Sequence, residues 1–289
     1  MTQEQRAIIK ALCYADVFDY PLNRHELWRT LDTRLSYQRF IKALDELSKG
    51  KQITINNFIS LKSRTALFSL RKKRERIAQK KYALAQKVVK SLSLLPSVWF
   101  VGISGSLAVN NTEKNADIDL FIITAPHTLW TSRLIVMSLL RFVGNTRKVG
   151  QREAKDALCV NMWMDGAQLQ FSKHERDLYT AHELVQLKPL INKYETHERL
   201  LLSNKWVQQF LPNSRTVQTR PEKIITRDAP VFYETINRRL QLWYMAKHRS
   251  SETIGKHLLK FHPKDVRHDV LAAYAKRLHQ FGIKSHSRY

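Results

Sequence analysis

From Arg6 to Phe18 apolar residues return every three or four positions. Ile8, Ile9, Leu12, Ala15 and Phe18 fall near one face, so the spacing predicts an amphipathic helix. Asp19-Tyr20-Pro21 ends it, because the residue before a proline is pushed out of the helical region. A second helix is expected from Asn23, with Glu26 three residues on as in a capping box, through Leu27 and Trp28 to about Leu31. A third, from Ser36 to Ser48, would bury Phe40, Ile41, Leu44 and Leu47 and stop at Gly50. Ile53-Thr54-Ile55 and Phe58-Ile59-Ser60-Leu61 then flank Asn56-Asn57, as two short strands of a hairpin would.

Three helices followed by a hairpin is the order of a winged helix-turn-helix, with the third helix as recognition helix. Its exposed candidates for contact with DNA or RNA are Tyr37, Gln38, Arg39 and Lys42, while Asp45 and Glu46 on the same helix would repel phosphates. A long basic helix follows, about Ser69 to Leu94, with Ala78, Tyr82, Ala85, Val89 and Leu92 at helical spacing. Arg71, Lys72, Lys73, Arg74, Arg76, Lys80 and Lys81 crowd its first half against the single acid Glu75, more than solubility requires. Glu175 to Leu190 reads as helical. Residues 214–218 read as a linker, and from Val231 to Phe281 two helices are expected, one around Phe232, Ile236, Leu240, Trp243 and Tyr244, the other around Val270, Ala273, Tyr274, Arg277 and Leu278. The division is therefore 1–65, a winged helix; 66–212, a central domain with its leading basic helix; and 213–289, a basic helical region. The fold class is α/β in the wide sense (α+β).

The formal net charge of +24 favours polyanionic partners, nucleic acid or a nucleotide, through counterion release. Two cysteines far apart, Cys13 and Cys159, make neither a metal-binding CxxC nor a disulfide framework, which suits a reducing cytoplasm. The beginning of the chain lacks the pattern of a signal peptide. The most apolar stretch, Leu134 to Val143, is too short to span a bilayer, so no membrane is expected. His248, His257, His262, His268, His279 and His286 show no metal-ligand spacing and read as basic surface.

The chemistry gathers in residues 98–124. Val98 to Ile103 has the character of a buried strand, and Gly105 removes a side chain where the backbone would turn into a short helix. Ser106 and the first N–H groups of that helix would face a ligand such as a triphosphate. Asp117 and Asp119, two apart on a strand, point to one face, where they repel each other unless a cation sits between them. Hard carboxylate oxygens suit Mg²⁺. Gly105-Ser106, ten residues, then Asp117-x-Asp119 resembles the signature of the polymerase β-like nucleotidyltransferases over roughly residues 85–170. The whole chain looks like a bacterial group that pairs a winged helix with this domain. The resemblance implies a small mixed-sheet domain, a triphosphate at Gly105 and Ser106, two magnesium ions at Asp117 and Asp119, and an NTP as substrate.

The family usually adds a third carboxylate from a later strand. The expected strand, Ala157 to Met164, carries Asn161 at its central polar position, and Asp156 and Asp165 flank it. Asn161 could ligate a metal through its carbonyl but is a poor general base. Arg133, in a helix after Pro126, could reach a triphosphate; Lys148, Arg152 and Lys155 lie in a polar connection; Arg176, His182 and Glu183 could wall the cleft. The functional expectation is Mg²⁺-dependent transfer of a nucleoside monophosphate from an NTP to an acceptor. The alternatives are a nucleotide- and nucleic-acid-binding regulator without turnover, or an antitoxin-like role with a protein partner.

Overall fold

The computed structural model describes residues 1–143, 146, 155–214, 217, 231–246, 253–261 and 266–284. Side chains fix where the first helices begin. Thr2 and Gln5 form a capping box ahead of α1 (Gln3–Asp16), and Asn23 and Glu26 form another ahead of α2 (Arg24–Arg29). Ser36 caps α3 (Tyr37–Lys49). Gly50 closes α3 with a negative φ, and it is Lys51 that turns left-handed. β1 (Ile53–Ile55) and β2 (Ile59–Leu61) pair antiparallel, and Leu22 bridges to Ile59. Ile8, Leu12, Leu27, Phe40, Leu44 and Ile59 fill the space between them. Phe18, expected on the buried face, is exposed because α1 ends at Asp16.

α4 (Ala66–Val89) leads to β3 (Val98–Ile103), α5 (Gly105–Ala108), β4 (Ile118–Thr124), α6 (Leu129–Val143) and β5 (Leu158–Asp165). Then come α7 (Leu178–Gln186), β6 (Lys188–Asn192), α8 (Thr196–Ser203), α9 (Val231–Ala246), β7 (Thr253–Ile254), β8 (Leu258–Lys260) and α10 (Arg267–Gln280). Among the described residues the main sheet runs β6-β3-β4-β5-β8-β7. Only β4 and β5 are parallel in it, joined through the crossover helix α6, as a parallel pair requires. The protein is thus α+β with a mixed sheet. No helix of the described residues is long and apolar enough to cross a membrane.

Two elements differ from expectation. The helix expected to reach Leu190 ends at Gln186, because Pro189 cannot continue it, and Lys188–Asn192 pairs instead with β3. Between the two C-terminal helices lie β7 and β8, too short to show a two-residue period; β8 takes its place by pairing with β5, Met162 opposite Lys260.

Alternation along β4 divides the two faces of the sheet. Ile118, Leu120 and Ile122 pack with Ala85 and Val89 of α4 and with Trp130, Val136 and Leu140 of α6. Phe121 and Ile123 pack on the other side with Phe171, Leu184 and Leu200, in one core with α1 and α10. Each fully buried side chain of this size contributes about 1.5–3 kcal/mol. Residues of the 213–289 stretch pack against both earlier parts. α10 meets α1 through Tyr274 against Tyr14 and Arg277 on Asp16 at 2.7 Å. On α9, Glu234 accepts from the N–H groups of Trp130 and Thr131, placing a carboxylate at the positive end of α6.

Candidate active site

The site forms where β3 leaves the sheet beside the start of β4. Ile103 pairs with Leu120, and the next N–H, of Ser104, donates to the Asp119 carbonyl at 3.0 Å. Gly105 follows with φ +60°, and a Cβ there would lie 2.7 Å from Asp119 Oδ2. Glycine is required twice over, by the backbone conformation and by the carboxylate against it. Ser106 is exposed in the first turn of the four-residue α5. Asp117 and Asp119 are both half-exposed.

The parallel register sets Cys159 directly opposite Asp119. One donor atom from each of Asp117, Asp119 and Cys159 lies within 4.8 Å of the others, the group among the described residues that could share a metal ion. Between Leu120 and Phe121 the β4–β5 register slips, so Asn161 is the extra residue of a bulge. Its amide turns to Asp119, with Nδ2 donating to Oδ1 at 2.7 Å. Asn161 is 3% exposed, and its Oδ1 is buried with no hydrogen-bond partner.

The loop between α5 and β4 is tied down along its length. Tyr20 donates its hydroxyl to the Val109 carbonyl at 2.7 Å, and Lys188 Nζ donates to Asn110 Oδ1 at 2.8 Å. Arg74 holds Asn111 Oδ1 and Glu113, and Asn111 donates to the Phe18 carbonyl. Lys81, nearly buried, donates to the Ala116 carbonyl and to Asp156 Oδ1, each at 2.6 Å. Arg71 is buried between the rings of Tyr20 and Phe58 and bonds to Glu26 and Glu75. Three of the cations on the basic helix are therefore spent on internal construction. Lys72, Lys73, Arg76 and Lys80 remain exposed.

The structure brings together Gly105, Ser106, Asp117, Asp119 and Asn161. Arg133 it does not. α6 lies on the sheet face opposite Asp119, and there Arg133 bonds Gln241 and stacks over Phe261 at 4.7 Å. Asp156 is engaged by Lys81. Asp165 stands opposite Thr124, at the far end of the strand pair from the Asp119–Cys159 step. Lys155 is exposed, and Arg176 Nε donates to the Phe171 carbonyl. Lys148, Arg152, His248, His262 and His286, like most of the linker at 214–218, lie outside the described residues.

Beside the carboxylates, on the same sheet face, opens a cleft of about 790 Å³, open solvent included, whose lining includes Ser104, Phe121, Met162, Glu183, Lys260 and Arg267. Glu183 keeps part of its surface open to this cleft. Burial pushes its carboxyl up to about 7, against the pull of Lys260, so it can exchange a proton near neutrality. His182, on the buried side of α7, stacks on Tyr14 at 4.0 Å, and burial brings it down to about 3.

Cys159 is the member of the site that sequence reasoning missed. The parallel register that sets it against Asp119 is a tertiary property with no local sequence signal. Compared with known proteins, the chain matches no family model, no curated protein and no solved structure.

Proposed function

We propose that the chain is a metal-dependent nucleotidyltransferase of the polymerase β-like kind, moving a nucleoside monophosphate from an NTP to an acceptor hydroxyl. The observation that carries this reading is the closure of Gly105 onto Asp119. A Gly-Ser turn seated against the second carboxylate of an Asp-x-Asp pair would set backbone donors beside a carboxylate-held cation, the two groups that a triphosphate needs.

The residues fit a divalent cation. Two hard carboxylates converge on one face, and a buried amide oxygen beside them lacks a hydrogen bond. Asp117 and Asp119 would hold the divalent cation, two Mg²⁺ ions by the resemblance, which would supply charge neutralisation and Lewis acidity at the reacting phosphate. Gly105 and Ser106 would offer backbone N–H groups and a hydroxyl to the triphosphate. Asn161 orients Asp119 through its Nδ2, and Lys81 and Arg74 hold the loop that carries Asp117. The adjoining cleft would receive the acceptor, with Glu183 as a group able to take up its proton. The acceptor oxygen bonds to the α-phosphorus as the bond to the bridging oxygen breaks and pyrophosphate leaves, so catalysis is mainly positioning and electrostatics.

Residues 1–65 would serve as a winged helix-turn-helix that meets DNA or RNA. The element order supports this, as does the exposure of Tyr37, Gln38 and Lys42. Arg39, also exposed, is ion-paired with Glu4. A cytoplasmic setting agrees with two free cysteines. Asn161, neutral where the family carries a carboxylate, favours a second reading, a nucleotide-binding regulator without turnover. Asp119→Ala is expected to lower nucleotide transfer by about 10³-fold, or ~4 kcal/mol of transition-state stabilisation. An unchanged rate in a folded variant would contradict the transferase.

A further inference from the structure

The third donor of the site is not the carboxylate the motif leads one to expect. Parallel pairing places Cys159 opposite Asp119, and one donor atom of each of Asp117, Asp119 and Cys159 falls within 4.8 Å of the others. We propose that Cys159 is a metal ligand, and that the Asp117–Asp119–Cys159 group takes a thiophilic divalent cation of the Zn²⁺ or Co²⁺ class in place of the Mg²⁺ that the resemblance implies.

Three observations support it. The first is distance. Metal–oxygen bonds of roughly 2.0–2.2 Å and a metal–sulfur bond of about 2.3 Å put the donors of a tetrahedral ion roughly 3.3–3.8 Å apart, so a group within 4.8 Å has at most roughly 1–1.5 Å to close. The second is Asn161, 3% exposed and turned to Asp119, with its Oδ1 buried and unbonded. A buried amide oxygen is costly unless something positive reaches it. Half a turn of the terminal amide would give up the 2.7 Å Nδ2 bond and present that oxygen beside the Asp119 carboxylate, an exchange favourable only around a cation. It would complete four donors, two carboxylates, one amide oxygen and one sulfur. The third is the chemistry of the set. Mg²⁺ takes oxygen ligands and gains nothing from a thiolate, whereas a thiolate raises affinity for zinc-like ions. On binding, the Cys159 thiol gives its proton to solvent and the sulfur lone pair forms the bond to the metal.

The inference shares with the proposed function only the two carboxylates as cation ligands, and its test needs no turnover. Full-length protein is titrated with Co²⁺ or Cd²⁺, and the sulfur-to-metal charge-transfer absorption is followed in the ultraviolet. Wild type should show a band that saturates at one ion per chain and resists a hundredfold excess of Mg²⁺. Cys159→Ser should lose the band although Cys13 remains, and Asp117→Asn should weaken binding at least tenfold. Absence of the band in wild type, its survival in Cys159→Ser, or its displacement by equimolar Mg²⁺ would each overturn the proposal. Should Cys159→Ser fail to fold, alkylation of wild-type Cys159 mapped by mass spectrometry decides. Protection by Zn²⁺ and not by Mg²⁺ supports the ligand role, and equal alkylation under both refutes it. A band without nucleotide transfer would remove the proposed function and leave this site standing; Mg²⁺-driven transfer without a band would do the reverse.

Discussion

The two ends of the β4–β5 strand pair each carry acid, and they use it in opposite ways. At the far end Asp165 is buried and held through one oxygen. Its Oδ1 accepts from the N–H groups of His127 and Ala167, and His257 Nδ1 stands 3.6 Å from its Oδ2. At the near end Asp117 and Asp119 share one face with a thiol and a half-bonded amide. The same residue type closes a backbone turn in one place and concentrates negative charge in the other. Sequence distance from the motif does not separate these roles. The neighbouring groups do: backbone N–H groups and a histidine at one end, a second carboxylate and a thiol at the other.

The sharpest way to break this contrast is to remove Asp165. Asp165→Ala would leave two N–H groups and a histidine without their carboxylate, and should cost about 3 kcal/mol of stability. The midpoint of urea unfolding should fall equally with and without divalent cation. A loss confined to cation-containing buffer would make Asp165 part of the metal site and dissolve the distinction. Gly105→Ala should cost less, about 1–2 kcal/mol for the left-handed backbone. Its new Cβ would also displace the Asp119 carboxylate, so cation affinity should drop roughly tenfold or more, as for a lost supporting contact. Unchanged affinity by calorimetry would show that the carboxylate has room to spare. The smallest effect has the opposite sign. Asp117→Asn relieves repulsion between like charges and should stabilise the cation-free protein by ~1 kcal/mol. If it destabilises the protein instead, the two carboxylates are already compensated and the near end resembles the far one.

Much of the fold could be read from local rules, because those rules are local in the molecule too. Asn23 with Glu26 caps where its spacing says it should, and Gly105, read as the place where a side chain is removed, lies against Asp119. Elsewhere the deciding contacts are distant in sequence. Arg133 looked available to a phosphate, but the position of α9 behind the sheet decides its partners. Lys81 and Arg74 read as part of a charge excess beyond what solubility requires, and only the loop folded against α4 makes them structural. β7 and β8 are too short to carry a period and exist because β5 offers an edge. Cys159 depends on a register set across a crossover helix. What was legible is what a turn or a single helix encodes. What was not is the pairing of segments.

The most direct measurement gives purified protein and a divalent cation each α-³²P-labelled NTP in turn, with and without bulk cellular RNA and protein, beside the Asp117→Ala/Asp119→Ala variant. Label passing to an acceptor in wild type, and not in the variant, is the expected result and also reveals the acceptor class. Nucleotide binding with no transfer under any of these conditions would contradict the transferase and leave the regulator, with Asn161 as the reason.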